Sequence, residues 1–245
     1  MDKAKFFAGL RSRESGVFGT SLSQPQVEGV ARIVDEGQSR GMQLRQLAYV
    51  LATAYHETGA KMQPVREAGG EKYLRSKPYY PWVGEGLVQV TWEANARKFG
   101  ASAPGQLMEW PVAMRAIFDG MSKGMFTGKR LADYIAGDRV DYVGARRIVN
   151  GTDRASLIAG YAKAFETALR AAGYVGQAPE ALPTPQPAAP AAVQPAPAMS
   201  PASAAPAVPE PPVAGAQVGS TPPQSGASWF ARLIFAFLNI FRKGA

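Results

Sequence analysis

The sequence predicts a mainly α-helical globular domain, followed by a linker and a short C-terminal helix. Three observations predict this organisation. Apolar residues recur at helical spacing within residues 1–176, proline and alanine dominate residues 177–227, and residues 228–245 are aromatic, apolar and cationic. Of the 20 prolines, 14 lie between Pro179 and Pro223. The first segment is long enough to bury one hydrophobic core, so we expect it to be the globular domain.

The first half of this domain contains two predicted helices. Val27–Glu36 places its apolar residues at helical spacing, and Ser23 suits the N-cap position before it. Leu44–Tyr55 has the strongest pattern, because its apolar residues recur at every third or fourth position. Gly59 is expected to end that helix. A long loop rich in glycine, proline and charge is predicted over residues 61–81.

The rest of the domain is also predicted to be mainly helical. A weak alternation over Leu87–Thr91 predicts a short strand or an extended segment. Further helices are predicted over Trp92–Phe99, Val112–Met125, Leu131–Ile135, Tyr142–Val149 and Ser156–Ala172. The sequence therefore predicts a mainly α domain with at most a small β element.

The C-terminal third of the chain predicts two further segments. Alternating Pro and Ala over residues 177–227 favour polyproline II and bury no core, which predicts a disordered linker. Residues 228–245 predict an amphipathic cationic helix. Its apolar run within Trp229–Lys243 is shorter than the about 20 residues that span a bilayer. We expect this helix to lie on an anionic membrane surface, with docking on a protein partner or on another copy of the chain as the alternative.

The residue counts exclude several classes of site. The chain has no cysteine, and His56 is its single histidine, so disulfides, Cys-based metal sites and multi-His metal sites are excluded. We expect neither a metal nor a cofactor. The formal net charge of +8 favours anionic partners such as bacterial cell wall or membrane, with simple solubility as the alternative. The basic residues form no stripe and accompany no nucleic-acid-binding motif, so no nucleic-acid partner is expected.

Glu57 and Glu67 are candidate catalytic carboxylates. Hydrolysis of a glycosidic bond needs an acid that protonates the leaving oxygen and a carboxylate that attacks the sugar or activates water. Glu57 follows an apolar helix and lies near its C-terminus, and both burial and the helix dipole favour a protonated carboxyl. Glu67 lies in a polar loop and is expected to stay ionised. Because a second histidine is lacking, His56-Glu57 does not fit the zinc-protease helix.

Several ordered motifs together resemble glycoside hydrolase family 19. They are Ala54-Tyr55-His56-Glu57-Thr58-Gly59, then Met62-Gln63-Pro64-Val65-Arg66-Glu67, then Gly84-x-Gly86-x-x-Gln89-Val90-Thr91-Trp92-x-x-Asn95, and finally Ile148-Val149-Asn150-Gly151. The similarity extends from about Leu22 to about Tyr174. The family contains plant-type chitinases and the lysozyme-like endolysins of bacteriophages. The lack of cysteines and the short loops are similar to the phage and prophage branch.

The resemblance implies a two-lobed, lysozyme-like α-helical fold with a cleft, and hydrolysis with inversion at the anomeric carbon. It implies that Glu57 is the acid and Glu67 the base, with Glu71 as the alternative base. Thr91 matches the residue that helps to hold the catalytic water. Amides that bind the substrate are matched by Gln89, Asn95 and Asn150. For Gln89 and Asn150 the alternative is a buried amide that ties the structure together.

Two positions depart from the family pattern. Glu85 stands where the family usually has arginine between two glycines, which reverses a charge near the expected cleft and adds a third carboxylate there unless it points to solvent. Arg154 is the nearest match to the late arginine of the family. Tyr80 is expected either to stack on a sugar or to pack its loop. His56 is expected to bind substrate or to take part in proton transfer, with bonding to the backbone and shaping of the helix end as the alternative.

Together these residues predict a peptidoglycan-degrading glycosidase of the endolysin type that acts as a monomer. The alternatives are a chitinase and a non-catalytic module that binds cell wall or membrane. The N-terminal residues lack the long apolar stretch of a signal peptide. We therefore expect synthesis in the cytoplasm, and action at the cell wall or in the periplasm after delivery by another route.

Overall fold

The computed structural model describes residues 1–176 of the 245-residue chain. Helices make up 55% and strands 5% of these residues, which confirms the prediction of a mainly α-helical domain. The predicted linker, 177–227, and the predicted C-terminal helix, 228–245, lie outside the described residues. Within residues 1–176, no helix is long and apolar enough to cross a membrane.

The described part of the chain is a succession of α-helices with short 3-10 helices and two small antiparallel strand pairs. The α-helices are α1 (Lys3–Leu10), α2 (Gln24–Ser39), α3 (Leu44–Glu57), α4 (Gly70–Arg75), α5 (Glu93–Lys98), α6 (Trp110–Lys123), α7 (Leu131–Tyr134) and α8 (Ala155–Ala171). The 3-10 helices are Arg13–Ser15, Gln106–Met108 and Gly144–Ile148. Strand β1 (Val65–Arg66) pairs with β2 (Glu85–Gly86), and β3 (Ile135–Ala136) pairs with β4 (Arg139–Val140).

Helix α3 lies at the centre of the fold. It is buried on nearly all sides and packs against α8, which in turn packs against α1. The predicted helix ends are confirmed at two places. The Ser23 side chain accepts from the Gln26 N–H, and the Gln26 side chain accepts from the Ser23 N–H, which forms a capping box at the start of α2. Gly59 has a φ of +57°, the left-handed conformation that ends α3.

Some predicted elements differ in the structure. Leu87–Thr91 is not a strand, because residues 87–89 form a turn and only Val90 forms a bridge, with Glu85. The Gln89 φ of +53° is incompatible with an extended strand. The α-helix predicted over Tyr142–Val149 is the shorter 3-10 helix Gly144–Ile148. The predicted loop 61–81 contains β1 and α4, and α1 has no counterpart among the predicted elements.

Candidate functional site

Glu67 follows β1 directly and is held by two hydrogen bonds to its carboxylate. The Tyr79 hydroxyl donates to Oε1 at 2.8 Å, and the Gly84 N–H donates to Oε2 at 2.9 Å. The Glu67 N–H donates in turn to the Gly84 carbonyl at 2.6 Å. Glu67 lies in a loop, as predicted, but it is buried there, with hydrogen bonds to Tyr79 and Gly84. Burial and the hydrogen bond to Glu67 raise the pKa of Tyr79, which keeps its hydroxyl a donor.

Three side-chain oxygens converge beside Gly84. A Cβ atom at this position would lie 3.2 Å from Gln89 Oε1, 3.3 Å from Thr91 Oγ1 and 3.4 Å from Glu67 Oε2. These contacts are tight enough that any side chain at Gly84 would displace at least one of the three groups. The structure thus brings together three residues that the sequence predicts for the site, around a glycine whose missing side chain makes room for them.

A cavity of about 300 Å³ opens next to this cluster. Four of the predicted site residues border it, namely Glu67, Gln89, Thr91 and Asn95. The other bordering residues are mainly apolar or aromatic: Tyr79, Gly84, Val88, Val90, Trp92, Phe99, Met125, Phe126 and Val149. A mostly apolar cavity with a few clustered polar groups is the common form of a small-molecule site.

The two amides that border the cavity also make hydrogen bonds within the protein. Gln89 donates from Nε2 to the Val65 carbonyl at 2.8 Å, which fixes its Oε1 on the side of Gly84. Asn95 donates from Nδ2 to the Thr91 carbonyl at 3.0 Å and accepts from Lys98 Nζ at 2.9 Å. These bonds orient both side chains at the cavity wall. For Gln89, the Nε2 group can therefore hold the structure together while Oε1 remains directed towards Gly84 and the cavity.

Glu57, the predicted acid, forms a buried ion pair that the sequence did not predict. Arg146 Nη1 donates to Glu57 Oε1 at 2.7 Å, and both side chains are only 2% exposed. Arg146 also donates from Nε to the Asp153 carbonyl at 3.1 Å. The guanidinium thus gives the buried Glu57 carboxyl a partner of opposite charge. One signal was present in the sequence: Arg146 and its neighbour Arg147 interrupt the apolar stretch 142–149, although the sequence does not tell which of the two is buried.

The remaining predicted site residues do not border the cavity. Asn150 is partly buried, and its Oδ1 accepts from the Gly151 N–H at 2.8 Å, although the preceding Val149 does border the cavity. Arg154 has a φ of +56° and directly precedes α8. Tyr80 donates from its hydroxyl to Glu71 Oε1 at 2.8 Å, outside the cavity.

His56 is buried beside Glu57 at the end of α3. Its Nε2 has no hydrogen-bond partner among the described residues. Burial is the main cause that lowers the pKa of the imidazole. The charge of Glu57 raises this pKa and that of Arg146 lowers it, both by smaller amounts, so His56 is neutral at pH 7. A neutral, buried imidazole suits the predicted role of shaping the helix end.

Glu71, the alternative base, lies on the surface. Its carboxylate accepts from Arg66 and Arg75, each at 3.2 Å, in addition to the hydroxyl of Tyr80. The Tyr80 hydrogen bond, followed by that from Arg66, lowers the pKa of Glu71. These exposed contacts place Glu71 in a surface ion-pair network and leave Glu67 as the carboxylate at the cavity.

Glu85 does not border the cavity, where Glu67 is the carboxylate among the lining residues. It pairs with Arg66 across the β1–β2 strand pair. Its Oε2 accepts from the Gly105 N–H at 3.0 Å, and Arg66 Nε is 3.9 Å from Oε1. Burial raises the pKa of Glu85, although the Gly105 bond and Arg66 act in the other direction.

Comparisons of the chain with protein-family models, with curated proteins and with solved structures found no match. The resemblance to glycoside hydrolase family 19 therefore stays a prediction. Among residues 1–176, no group of three or more Asp, Glu or His side chains is placed to hold a metal ion.

The arrangement beside Gly84 can bind and orient small hydrogen-bond donors. A carboxylate, a hydroxyl and an amide oxygen offer acceptors within a few ångströms of one another, while the Thr91 hydroxyl itself donates to the Gln89 carbonyl at 3.2 Å. Such a group can hold a water molecule, a sugar hydroxyl or an amide N–H. The apolar residues of the cavity wall lower the local polarity, which strengthens hydrogen bonds made there.

Proposed function

We propose that residues 1–176 form an inverting glycosidase of the endolysin type that cleaves bacterial peptidoglycan between N-acetylated amino sugars. The observation that carries this proposal is the convergence of Glu67, Gln89 and Thr91 on Gly84 at the wall of the cavity. In the proposed fold, this wall belongs to the cleft between the two lobes of a lysozyme-like domain. Carbohydrate sites need this combination of acceptors, donors and apolar surface, because sugars present hydroxyls, N-acetyl groups and C–H faces together.

Glu67 is the proposed base. An inverting mechanism needs a carboxylate that takes a proton from water as the water attacks the anomeric carbon. The Tyr79 and Gly84 hydrogen bonds stabilise the negative charge of Glu67 and fix its orientation. Thr91, whose Oγ1 lies beside the same glycine, is the proposed second ligand of that water.

Glu57 is the proposed acid, and this role sets a requirement. Its carboxyl must face the leaving oxygen in protonated form, whereas in the structure it is enclosed and paired with Arg146. The proposal therefore requires that substrate binding open this end of α3 and weaken the ion pair. The two carboxyl groups should then stand about 6.5–9.5 Å apart, with a water between Glu67 and the sugar.

The test is loss of turbidity and clearing of zymograms on purified peptidoglycan. We expect Glu57→Gln and Glu67→Gln to abolish lysis, and Glu71→Gln to retain it. Glu93→Gln is the matched control, because Glu93 is an exposed carboxylate that pairs only locally with Arg97. Undiminished lysis by Glu57→Gln would falsify the acid assignment, and lysis lost in Glu71→Gln but retained in Glu67→Gln would move the base to Glu71.

A chitinase activity would use the same site, and its products distinguish it. Mass spectrometry of digests of purified peptidoglycan and of chitin oligomers shows which polymer is cut, and the sugar at the new reducing end identifies the bond. We expect soluble fragments from peptidoglycan. Release of fragments from chitin oligomers alone would replace the proposal with a chitinase.

A non-catalytic wall-binding module is the second candidate, and the Glu57–Arg146 pair is the observation that favours it. A carboxyl that is 2% exposed and bonded to a buried guanidinium is well suited to hold α3 against the 144–148 segment. Retention of the protein on purified peptidoglycan without release of any soluble fragment would support this candidate and contradict the enzyme.

We further propose that the segment Trp229–Lys243 attaches the protein to anionic membrane, while the linker lets the domain reach the wall. Two weak attachments on one chain raise the effective affinity when the linker spans both sites. Co-sedimentation with anionic phospholipid vesicles tests this for the full chain and for a 1–226 truncation. Equal binding by the two would contradict the proposal.

A further inference from the structure

Trp92 is a large apolar residue that stands exposed at the cavity. The residue borders the cavity, and it is 48% exposed. The other exposed large apolar residues of 1–176 do not border it; they are Tyr73, Val143, Leu157 and Val175. A half-exposed indole beside clustered polar groups is the kind of surface that binds a ligand with both apolar and polar faces.

The backbone at Trp92 is strained. Its φ is +76° and its ψ is +139°, a conformation that residues with a side chain rarely adopt. Hydrogen bonds hold it there. The Trp92 N–H donates to the Trp82 carbonyl at 3.0 Å, and the Trp92 carbonyl accepts from the N–H groups of Asn95 and Ala96 at 3.1 and 3.0 Å. The chain thus keeps a bulky aromatic residue where glycine would fit without strain, and such strain is concentrated at functional sites.

The indole is also fixed in relation to the proposed base. The Tyr79 ring contacts the Trp92 ring edge-to-face, with 5.5 Å between centroids and 67° between planes. The same Tyr79 donates its hydroxyl to Glu67. One side chain therefore positions both the carboxylate and the indole.

We infer that the Trp92 indole is a platform on which one pyranose ring of the glycan stacks at the exposed edge of the cavity. This inference rests on the proposed function, because it assigns a sugar-binding subsite to the proposed active site. The C–H groups on one face of a β-linked N-acetylglucosamine ring form an apolar surface that matches the indole. Its hydroxyls and acetamido group are then directed towards the polar residues of the cavity, including Gln89 and Asn95.

The experiment measures sugar binding without turnover. The full chain carrying Glu57→Gln is titrated with the β-1,4-linked N-acetylglucosamine tetramer and with a glycan tetramer isolated from peptidoglycan, and the heat of binding is measured by isothermal titration calorimetry, which does not depend on any tryptophan. We expect one of these sugars to bind, and Trp92→Ala to weaken binding by at least about ten-fold because the stacked area is lost. Trp92→Phe, which keeps a ring, should bind more tightly than Trp92→Ala.

Two controls separate the platform from general damage. Trp110→Phe removes an indole that does not border the cavity and that contacts Arg32, whose Cζ lies 5.2 Å from the ring centroid. This substitution should leave the sugar affinity unchanged. Trp92→Gly should unfold at the same temperature as Trp92→Ala or higher, because glycine tolerates the positive φ. A lower unfolding temperature for Trp92→Gly would contradict the strain on which the inference depends.

The outcomes distinguish this inference from the proposed function. Equal sugar affinity of the parent and Trp92→Ala, or no response to either sugar, overturns the platform. Full lysis by Glu57→Gln, with sugar binding lost in Trp92→Ala, overturns the acid assignment and keeps the platform. Abolished lysis in Glu57→Gln, with unaltered sugar affinity in Trp92→Ala, keeps the acid assignment and overturns the platform.

Discussion

The buried pair between Glu57 and Arg146 gives the sharpest prediction about stability. In Arg146→Met the side chain keeps most of its volume but loses its charge, and the Glu57 carboxylate is left without its 2.7 Å partner. Because both side chains are 2% exposed, water cannot replace the guanidinium. Removing one partner of a buried pair costs about 3–5 kcal/mol. The lost bond from Arg146 to the Asp153 carbonyl adds to this cost.

Thermal unfolding followed by circular dichroism measures the effect. For a domain of this size the expected loss corresponds to a fall of roughly 6–20 °C in the unfolding midpoint. Arg97→Met is the matched control, since Arg97 pairs with Glu93 on the surface, where both side chains are about half exposed. Such a surface pair contributes about 0.3–0.5 kcal/mol.

Adding Glu57→Gln to Arg146→Met should restore part of the lost stability, because it removes the unpaired charge. The reasoning would be refuted if Arg146→Met unfolded at the same temperature as Arg97→Met. It would also be refuted if the double variant were less stable than Arg146→Met alone, because the charge of Glu57 would then not be the source of the cost.

Three further predictions concern the cavity and its strand pair. Gly84→Ala should lower the free energy of unfolding by about 1–3 kcal/mol and reduce lysis, because its Cβ crowds three oxygens. The control Gly160→Ala, whose Cβ has open space on α8, should raise the free energy of unfolding by about 0.5–1 kcal/mol. Chemical denaturation measures both, and equal effects of the two variants would contradict the prediction. Tyr79→Phe should lower the rate of lysis at least about ten-fold while costing about 1.5–3 kcal/mol of stability, because the buried carboxylate of Glu67 loses a hydrogen bond, and unchanged lysis would show that the hydroxyl does not orient Glu67. Glu85→Gln should raise the unfolding midpoint at pH 7. The raised pKa of Glu85 means that the folded state binds more protons than the unfolded state, so the parent loses stability as the pH rises above the ordinary value of 4.5. The difference between parent and variant should vanish in unfolding scans at more acidic pH, and a constant difference would exclude titration of Glu85 as its cause.

The parts of the fold that the sequence predicts are those that depend on local periodicity. Helices α2 and α3 follow from their apolar spacing, and the cap at Ser23 and the stop at Gly59 follow from chemistry within a few residues. The turn at residues 87–89 does not follow in this way. Its weak alternation suggests a strand, but the left-handed Gln89 and the hydrogen bonds between Glu85 and Val90 close a tight turn instead.

The residues of the site likewise fall into those whose position follows from local sequence and those whose position does not. Gln89, Thr91 and Asn95 lie close together in the chain, and their clustering at the cavity follows from one turn and the start of α5. The pairing of Glu57 with Arg146 joins residues 89 positions apart, and no local pattern encodes such a contact. The burial of Glu67 likewise depends on Tyr79 and Gly84, which reach it only after the loop has folded back.

The bond from the Gly84 N–H to Glu67 gives the site a spectroscopic reporter. The amide proton donates directly to carboxylate Oε2, so its NMR chemical shift should follow the charge on that carboxylate as the pH is changed. Glycine amides resonate in a separate region of a ¹⁵N correlation spectrum, which makes this one accessible without labelling of side chains. The protonation state of the proposed base can thus be read in the intact protein at a single backbone position, with or without a sugar bound.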